Sequence, residues 1–501
     1  APRCRVENVL FESFPGWEVN ASVFVPTGHG PFPAVVIPVG HSGKQYDSYQ
    51  VPAQAFAALG FVAVLFDPPG QDSEKKPGND HFRDGVRTFL TGHAANRYFV
   101  LDALRCIDYL HTRDDVEVTH GVGMTGVSGG GHTTLFAALF DARIACQGPS
   151  CCICRMADHP VGDLYAACPE SMWSGRLAAG VDELDVLLAG MPTPALYMAG
   201  AQDEVFRIDW SRALAAEAAR SFALAGAADR FSFFEDAGGH AYTLAQVRQF
   251  AGWMNRWVRG EPDRPVPPLA AADVPMLPYP CLQCGPAPRE NIHTLNLAIA
   301  QRQAAARART GLCAAGGPDS GRSGSAAADL AAVVRRVTGT PGQLEQWRET
   351  SPFRVWAQTC REVLAAYEGL PLPATLLTPV AEHAQACAPW VIFVDDAGRR
   401  TALESWGPAA RLSNMLDREP DQPHPHVLVP DLPGWGDSTP ALAPYALAGW
   451  GSMDRLTAYL SCAVGDGLLA LRVRCVAALV QHLGTARGVP PARLVLIGRG
   501  L

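Results

Sequence analysis

Five residues, Gly126-Val127-Ser128-Gly129-Gly130, constrain this chain more than any other stretch. The run before them, His120-Gly121-Val122-Gly123-Met124-Thr125, is apolar and β-prone. The run after, from His132 through Thr134, Leu135, Ala137 and Leu139, reads as a helix. G-x-S-x-G between a strand and a helix is the pattern of a nucleophile elbow, a sharp turn that points a serine hydroxyl outward. Side chains two residues either side of the serine would collide with the adjoining strand and helix, and glycine at 126 and 130 removes them. A glycine–serine run alone is an ordinary loop; the two flanking elements give this one its chemical meaning.

The elements around the turn repeat one pattern. Residues 4–10 and 17–25 read as an edge hairpin, and 33–39 as a short buried strand ending in Gly40-His41-Ser42-Gly43. A helix over 49–59 leads into a strand at 61–66 and then Asp67-Pro68-Pro69-Gly70. A polar loop over 71–84 precedes an amphipathic helix at 95–110 and the strand before Ser128. Beyond it come strands at 143–146, 194–200 and 231–234, helices at 208–226 and 242–259, and an irregular insertion at 149–192. Strands alternating with helices predict an α/β fold, doubly wound, with a mostly parallel sheet covered on both faces. Ligands of such sheets sit at the carboxyl ends of the strands, where each motif named here falls.

At 501 residues, with 48% hydrophobic and 18% charged positions, the chain has material for two or three globular domains. Residues 1–260 form the first. Residues 261–288 carry nine prolines and read as a stiff linker. A second flexible stretch covers 316–324. Residues 289–501 then read as an incomplete copy of the first domain: 372–379 parallels 19–26, 389–395 the strand at 33, 426–434 the stretch 63–70, and 469–483 the long helix. Residues 493–500 parallel the strand before Ser128 and place Gly500 where that serine stands. With no hydroxyl at that position the second unit is expected to be degenerate and non-catalytic.

A net charge of −8 without any basic block argues against nucleic acid as a partner. Arg472 and Arg474 interrupt the best apolar run, so no membrane span is expected. Ala1 and Leu501 both read as cut ends. The fourteen cysteines are scattered. Cys281-Leu282-Gln283-Cys284 lacks a second pair at zinc spacing, so no metal site is expected; buried thiols are the default, with one or two disulfides if the protein is exported.

A serine nucleophile needs a general base, and the base an orienting carboxylate. On this architecture the order is Ser, then Asp or Glu, then His. Gly200-Ala201-Gln202-Asp203-Glu204 follows a strand, and Asp203 is preferred to Glu204 because it comes first in the turn. His240, in the glycine-rich loop Gly238-Gly239-His240-Ala241-Tyr242 after the last strand, is the expected base. His132 is assigned to packing and His159 to the insertion's surface. The backbone N–H groups of Gly129 and of His41, with Ser42 as an alternative to His41, are where an oxyanion hole would form.

The first 260 residues resemble α/β-hydrolases of the acetyl xylan esterase-like kind, relatives of the dienelactone hydrolases. The resemblance lies in Gly40-His41-Ser42-Gly43-Lys44, Asp67-Pro68-Pro69-Gly70-Gln71, Arg97-Tyr98, the stretch 102–110, Thr125-Gly126-Val127-Ser128-Gly129-Gly130-Gly131, Gly238-Gly239-His240-Ala241-Tyr242-Thr243 and Cys168-Pro169-Glu170. It implies a serine carboxylester hydrolase with a Ser128–His240–Asp203 triad, no metal or organic cofactor, and a small-molecule or carbohydrate ester substrate, acetylated sugars included. Together with the cysteine count it favours export, periplasmic or extracellular, over the cytoplasm. A prolyl-oligopeptidase-like peptidase shares the catalytic layout, and a binding protein that kept a hydrolase shell is the reading from a different class.

Overall fold

β1 (Cys4–Phe14) and β2 (Trp17–Pro26) make the antiparallel hairpin expected at the amino end. The computed structural model that contains them describes residues 4–70, 81, 83–158, 168–284, 290–309, 332, 334–355, 358–380, 387–404, 407–409, 423–439 and 453–500. His159, the stretch 316–324 and nearly all of the polar loop at 71–84 lie outside those residues. By contacts the chain divides into two compact units, Ala1–Ala306 and Arg307–Leu501.

In the first unit β3 (Phe32–Pro38), β4 (Val62–Phe66), β5 (Val116–Glu117), β6 (Val122–Val127), β7 (Ile144–Ser150), β8 (Ala195–Gly200) and β9 (Phe231–Asp236) join the hairpin in one nine-stranded sheet. Its order is β1-β2-β4-β3-β6-β7-β8-β9, with β5 beside β3. From β4 to β9 every pairing is parallel, and only β2, antiparallel to both β1 and β4, runs against the rest. The central strands are apolar on both sides because both faces are covered. Val36, Met124 and Tyr197 face the helices Asn96–Leu110, Gly129–Phe140 and Ile208–Leu224. Their neighbours Val35, Ile37 and Met198 face the helices Asp47–Ala58 and Leu244–Trp257. The mostly parallel, doubly wound α/β architecture expected from the sequence is what is observed.

The proline-rich segment differs from a free spacer. Its described part, up to residue 284, lies within the first unit. Val274 and Leu282 are buried in the core under helix Asp47–Ala58. Gln54 donates to the Pro275 carbonyl (2.8 Å), Gln50 accepts from the Leu277 amide (2.7 Å), and Asn8 of edge strand β1 donates to the Cys281 carbonyl (2.9 Å). Proline removes ladder donors but leaves carbonyls, and here side-chain amides take them. Helix Ile292–Arg309 continues the strap, with Asn296 donating to the Asp84 carbonyl (3.1 Å) and Gln303 to that of Thr91 (2.6 Å).

The insertion after β7 is anchored by charge. Arg176, fully buried, donates to Glu183 (3.1 Å) and to the Ser171 carbonyl (2.8 Å), and lies over the Trp173 ring. Burial would push the Glu183 carboxyl up, but Arg176 and His132 hold it at about 2. The described cysteines all carry free thiols.

The second unit has a seven-stranded sheet. It comprises β10 (Gln346–Glu349), β11 (Phe353–Val355), β12 (Gln358–Tyr367), β13 (Leu370–Pro379), β14 (Trp390–Asp395), β15 (His426–Pro430) and β16 (Leu494–Arg499). The path β12-β13-β15-β14-β16 has the same order and the same strand senses as β1-β2-β4-β3-β6. A side-chain clamp recurs too. The Lys44 amide donates to Asp67 Oδ1 (2.8 Å) in the first unit, and the Arg399 amide to Asp431 Oδ1 (2.7 Å) in the second. Helix Leu468–Ala486 is long and apolar enough to cross a membrane, but it packs Cys475, Ala478, Leu479 and Leu483 into this unit's core.

Candidate active site

Ser128 ends β6 with φ 58° and ψ −127°, a conformation that L side chains rarely adopt, and helix Gly129–Phe140 starts at the next residue. The Ser128 amide donates to the Ser150 carbonyl (2.9 Å), while its own carbonyl accepts from Gly131 (2.8 Å) and His132 (3.1 Å). The flanking glycines are required sterically. A β-carbon on Gly126 would lie 2.8 Å from both the Gly130 and Pro38 carbonyl oxygens, and one on Gly130 would overlap that of Pro38. The hydroxyl is nearly buried, with the residue 5% exposed.

Asp203 and His240 come from the next loops along the same sheet edge, after β8 and β9. The Gln202 amide donates to the Gly238 carbonyl (2.9 Å) and ties the two loops together. Asp203 Oδ1 accepts from the amides of Val205 (2.8 Å) and Phe206 (2.9 Å), so it caps the turn while Oδ2 faces His240 Nδ1 at 3.0 Å. Its carboxylate is fully buried, whereas Glu204 is exposed. The His240 ring stacks on Phe206 with centroids 5.8 Å apart. Cys151, the residue after Ser150, presents its sulfur within 4.8 Å of both the Asp203 and His240 donor atoms. Burial, then the Asp203 charge, raises that thiol to about 12 and keeps it neutral.

The loop after β3 closes the other side. A β-carbon on Gly40 would lie 3.1 Å from the Gly129 nitrogen, so the backbone of this loop runs against the first amide of the helix. His41 Nδ1 stands 3.5 Å from Ser128 Oγ. Its Nε2 faces Cys168 Sγ (2.9 Å) and Glu170 Oε1 (3.2 Å). His81 Nε2 reaches the same pair, at 3.1 Å from Cys168 Sγ and 3.7 Å from Glu170 Oε2. The Glu170 carboxylate occupies the space a β-carbon on Gly129 would need. Tyr49, raised to about 12 by burial, is hydrogen-bonded to Ser42 and Gly40 and fixes the loop.

Sequence reasoning placed Ser128, Asp203, His240, Gly129 and His41, and all five lie at the carboxyl ends of the parallel strands. It missed His81 and any role for the His41 side chain. Cys168-Pro169-Glu170 was legible only as part of a resemblance. His132, expected to be packing, is buried against Phe206, and its Nε2 lies 3.4 Å from Glu183.

No family model matches the chain. A curated relative, "Putative hydrolase YtaP" of Bacillus subtilis (strain 168), is 25% identical over 253 residues, which is 46% of this chain and 80% of that protein. Among solved structures, methylesterase BT1017 is similar over 62% of this chain and 68% of its own, at 20% identity and a TM-score of 0.48. A carbohydrate esterase family 15 glucuronoyl esterase from Caldicellulosiruptor kristjansonii is similar over 54% and 85%, at 15% identity and a TM-score of 0.39. The antiparallel hairpin leading a parallel sheet in this strand order, and the serine on the strand-to-helix turn at its centre, make the first unit an α/β-hydrolase fold.

Proposed function

We propose that the first unit hydrolyses carboxylic esters through Ser128. The observation that carries this reading is a serine at φ 58° on the strand-to-helix turn, at the same sheet edge as a His240–Asp203 pair 3.0 Å apart. Ser128 Oγ attacks the ester carbonyl and His240 takes its proton. Asp203, anchored by two amides, holds the ring and offsets the positive charge it gains. The amides of Gly129 and His41 receive the developing oxyanion. His240 then protonates the leaving alcohol and activates the water that releases the acid. The relative from Bacillus subtilis is a hydrolase by name, in keeping with this reaction class. Within it we favour acetyl esters, acetylated carbohydrates among them, and we read the second unit as a copy that has lost its nucleophile to Gly500.

One observation favours a second base. His41 Nδ1 lies 3.5 Å from Ser128 Oγ and is backed by Glu170. Single substitutions separate the two. On an aryl acetate, Ser128→Ala is expected to lower turnover by roughly 10⁴–10⁶. His240→Ala should fall nearly as far, and His41→Ala by about 10–10² through lost positioning alone. Wild-type turnover in Ser128→Ala overturns the serine mechanism. A deeper loss in His41→Ala than in His240→Ala transfers the base role to His41.

A further inference from the structure

Four side chains from three separate loops converge on one point beside Gly129, and the proposed ester hydrolysis uses none of them as a reacting group. Their donor atoms, His41 Nε2, His81 Nε2, Cys168 Sγ and a Glu170 oxygen, all lie within 4.8 Å of one another. We infer that these residues form a binding site for one divalent transition metal ion of the zinc type. The site does not depend on Ser128 being a nucleophile.

The donor set comes first. Two imidazole nitrogens, one sulfur and one carboxylate oxygen suit zinc and are poor for magnesium or calcium. Spacing is the second point. A tetrahedral zinc with bonds of about 2.0–2.3 Å holds its ligand atoms roughly 3.3–3.6 Å apart. The two nitrogen-to-sulfur separations here, 2.9 and 3.1 Å, fall a few tenths of an ångström short of that range, and the nitrogens lie 3.2 and 3.7 Å from the two different oxygens of Glu170. Direction is the third. Each Nε2 faces both the sulfur and a carboxylate oxygen, whereas a single N–H can point along one line only. A common centre accounts for both convergences at once.

Charge and packing agree. The side chains of His81 and Glu170 are 0% exposed, Cys168 is fully buried, and that of His41 is 16% exposed. A divalent ion with one thiolate, one carboxylate and two neutral imidazoles carries no net charge, which is what a buried site tolerates. Binding sends the Cys168 thiol proton to solvent. The backbone leaves the ligands little freedom, since a β-carbon on Gly70 would overlap His81 and one on Gly129 would overlap Glu170. Four protein ligands close the coordination shell, so the ion holds structure and does not itself activate water. Coordination through Nε2 puts the His41 proton on Nδ1, the nitrogen 3.5 Å from Ser128 Oγ. His41 then donates to the serine oxygen and cannot accept its proton, which leaves that to a different base. The ion also cancels the Glu170 charge, which would otherwise oppose an oxyanion at the Gly129 amide.

The test is metal content of the full chain, measured by elemental analysis after desalting. About one equivalent of zinc per chain is expected, or uptake of one equivalent of added zinc by chelator-treated protein in competition with a chelating dye. Cobalt(II) in place of zinc should give a sulfur-to-metal charge-transfer band. Cys168→Ser should remove that band, and both Cys168→Ser and His81→Gln should weaken zinc binding at least tenfold, with circular dichroism verifying that each variant is folded. Should one not fold, the other carries the comparison. Cys281→Ser/Cys284→Ser and His240→Ala should keep the metal, because they alter the CxxC pair and the Cys151–Asp203–His240 group instead. Failure of the wild-type chain to take up zinc or cobalt overturns the site, as does metal that stays in His81→Gln and departs with either control.

Discussion

A serine held at φ 58° stores about 1–3 kcal/mol of backbone strain, and its neighbours must impose the conformation. Gly130 is one of them, packed against the Pro38 carbonyl so closely that any β-carbon forces main chain to move. Gly130→Ala is therefore expected to destabilise the first unit by about 1–3 kcal/mol, measured by urea denaturation, and to slow fluorophosphonate labelling of Ser128. Asp102 supplies a second residue-scale prediction. It accepts from Ser13 (2.5 Å) and Trp17 (3.3 Å), but burial dominates and raises its carboxyl to about 7. Between about pH 4 and pH 7 the folded chain keeps a proton that the unfolded chain releases, so this group's contribution to stability falls as pH rises through that window. Asp102→Asn should remove that component: wild-type minus variant stability is expected to decline from pH 4.5 to pH 7.5, and a flat difference contradicts the assignment.

Elements were more legible than the side chains that join them. The strands 33–39 and 61–66 were plain because unbroken Val, Ile, Leu and Phe runs between breakers suit only a sheet buried on both faces, and the structure puts β3 and β4 there. The contact between Asp203 and His240 was legible because the chain order expected of this architecture pairs an acid with a later histidine. His81 was not, since residues 41, 81, 168 and 170 meet through loops with no common spacing. The strap was misread for a related reason: proline content shows that ladder donors are missing, not that Gln50, Gln54 and Asn8 stand ready to satisfy the remaining groups. The insertion after β7 carries its own prediction. Glu183→Gln leaves the Arg176 guanidinium buried without its counter-charge, and a loss of about 3–5 kcal/mol is expected by chemical denaturation. An unchanged midpoint would mean that the pair does not anchor this segment.

Across the whole molecule, two sheets share a strand path but differ where the first carries Ser128. Gly500, at φ 96°, follows β16 as Ser128 follows β6, and a β-carbon there would overlap the Asp396 carboxylate. A side chain at that position would have to displace the Asp396 carboxylate. A fluorophosphonate probe is accordingly expected to add once per chain, at Ser128, as read by intact mass and peptide mapping. A second adduct within residues 307–501 would contradict the reading of that unit as silent.

The strap over residues 261–284 has a consequence for how the protein behaves in a crowded solution. Strand β1 is the outermost of its sheet, and an uncovered margin of that kind invites another chain to pair with it. By packing Leu282 into the core and accepting from Asn8 at the Cys281 carbonyl, the strap ties down one face of the hairpin that ends in this margin. Unpicking it with Leu282→Asp should turn a well-behaved chain into one that clumps on mild warming, visible as rising light scattering before the far-ultraviolet signal of the helices is lost.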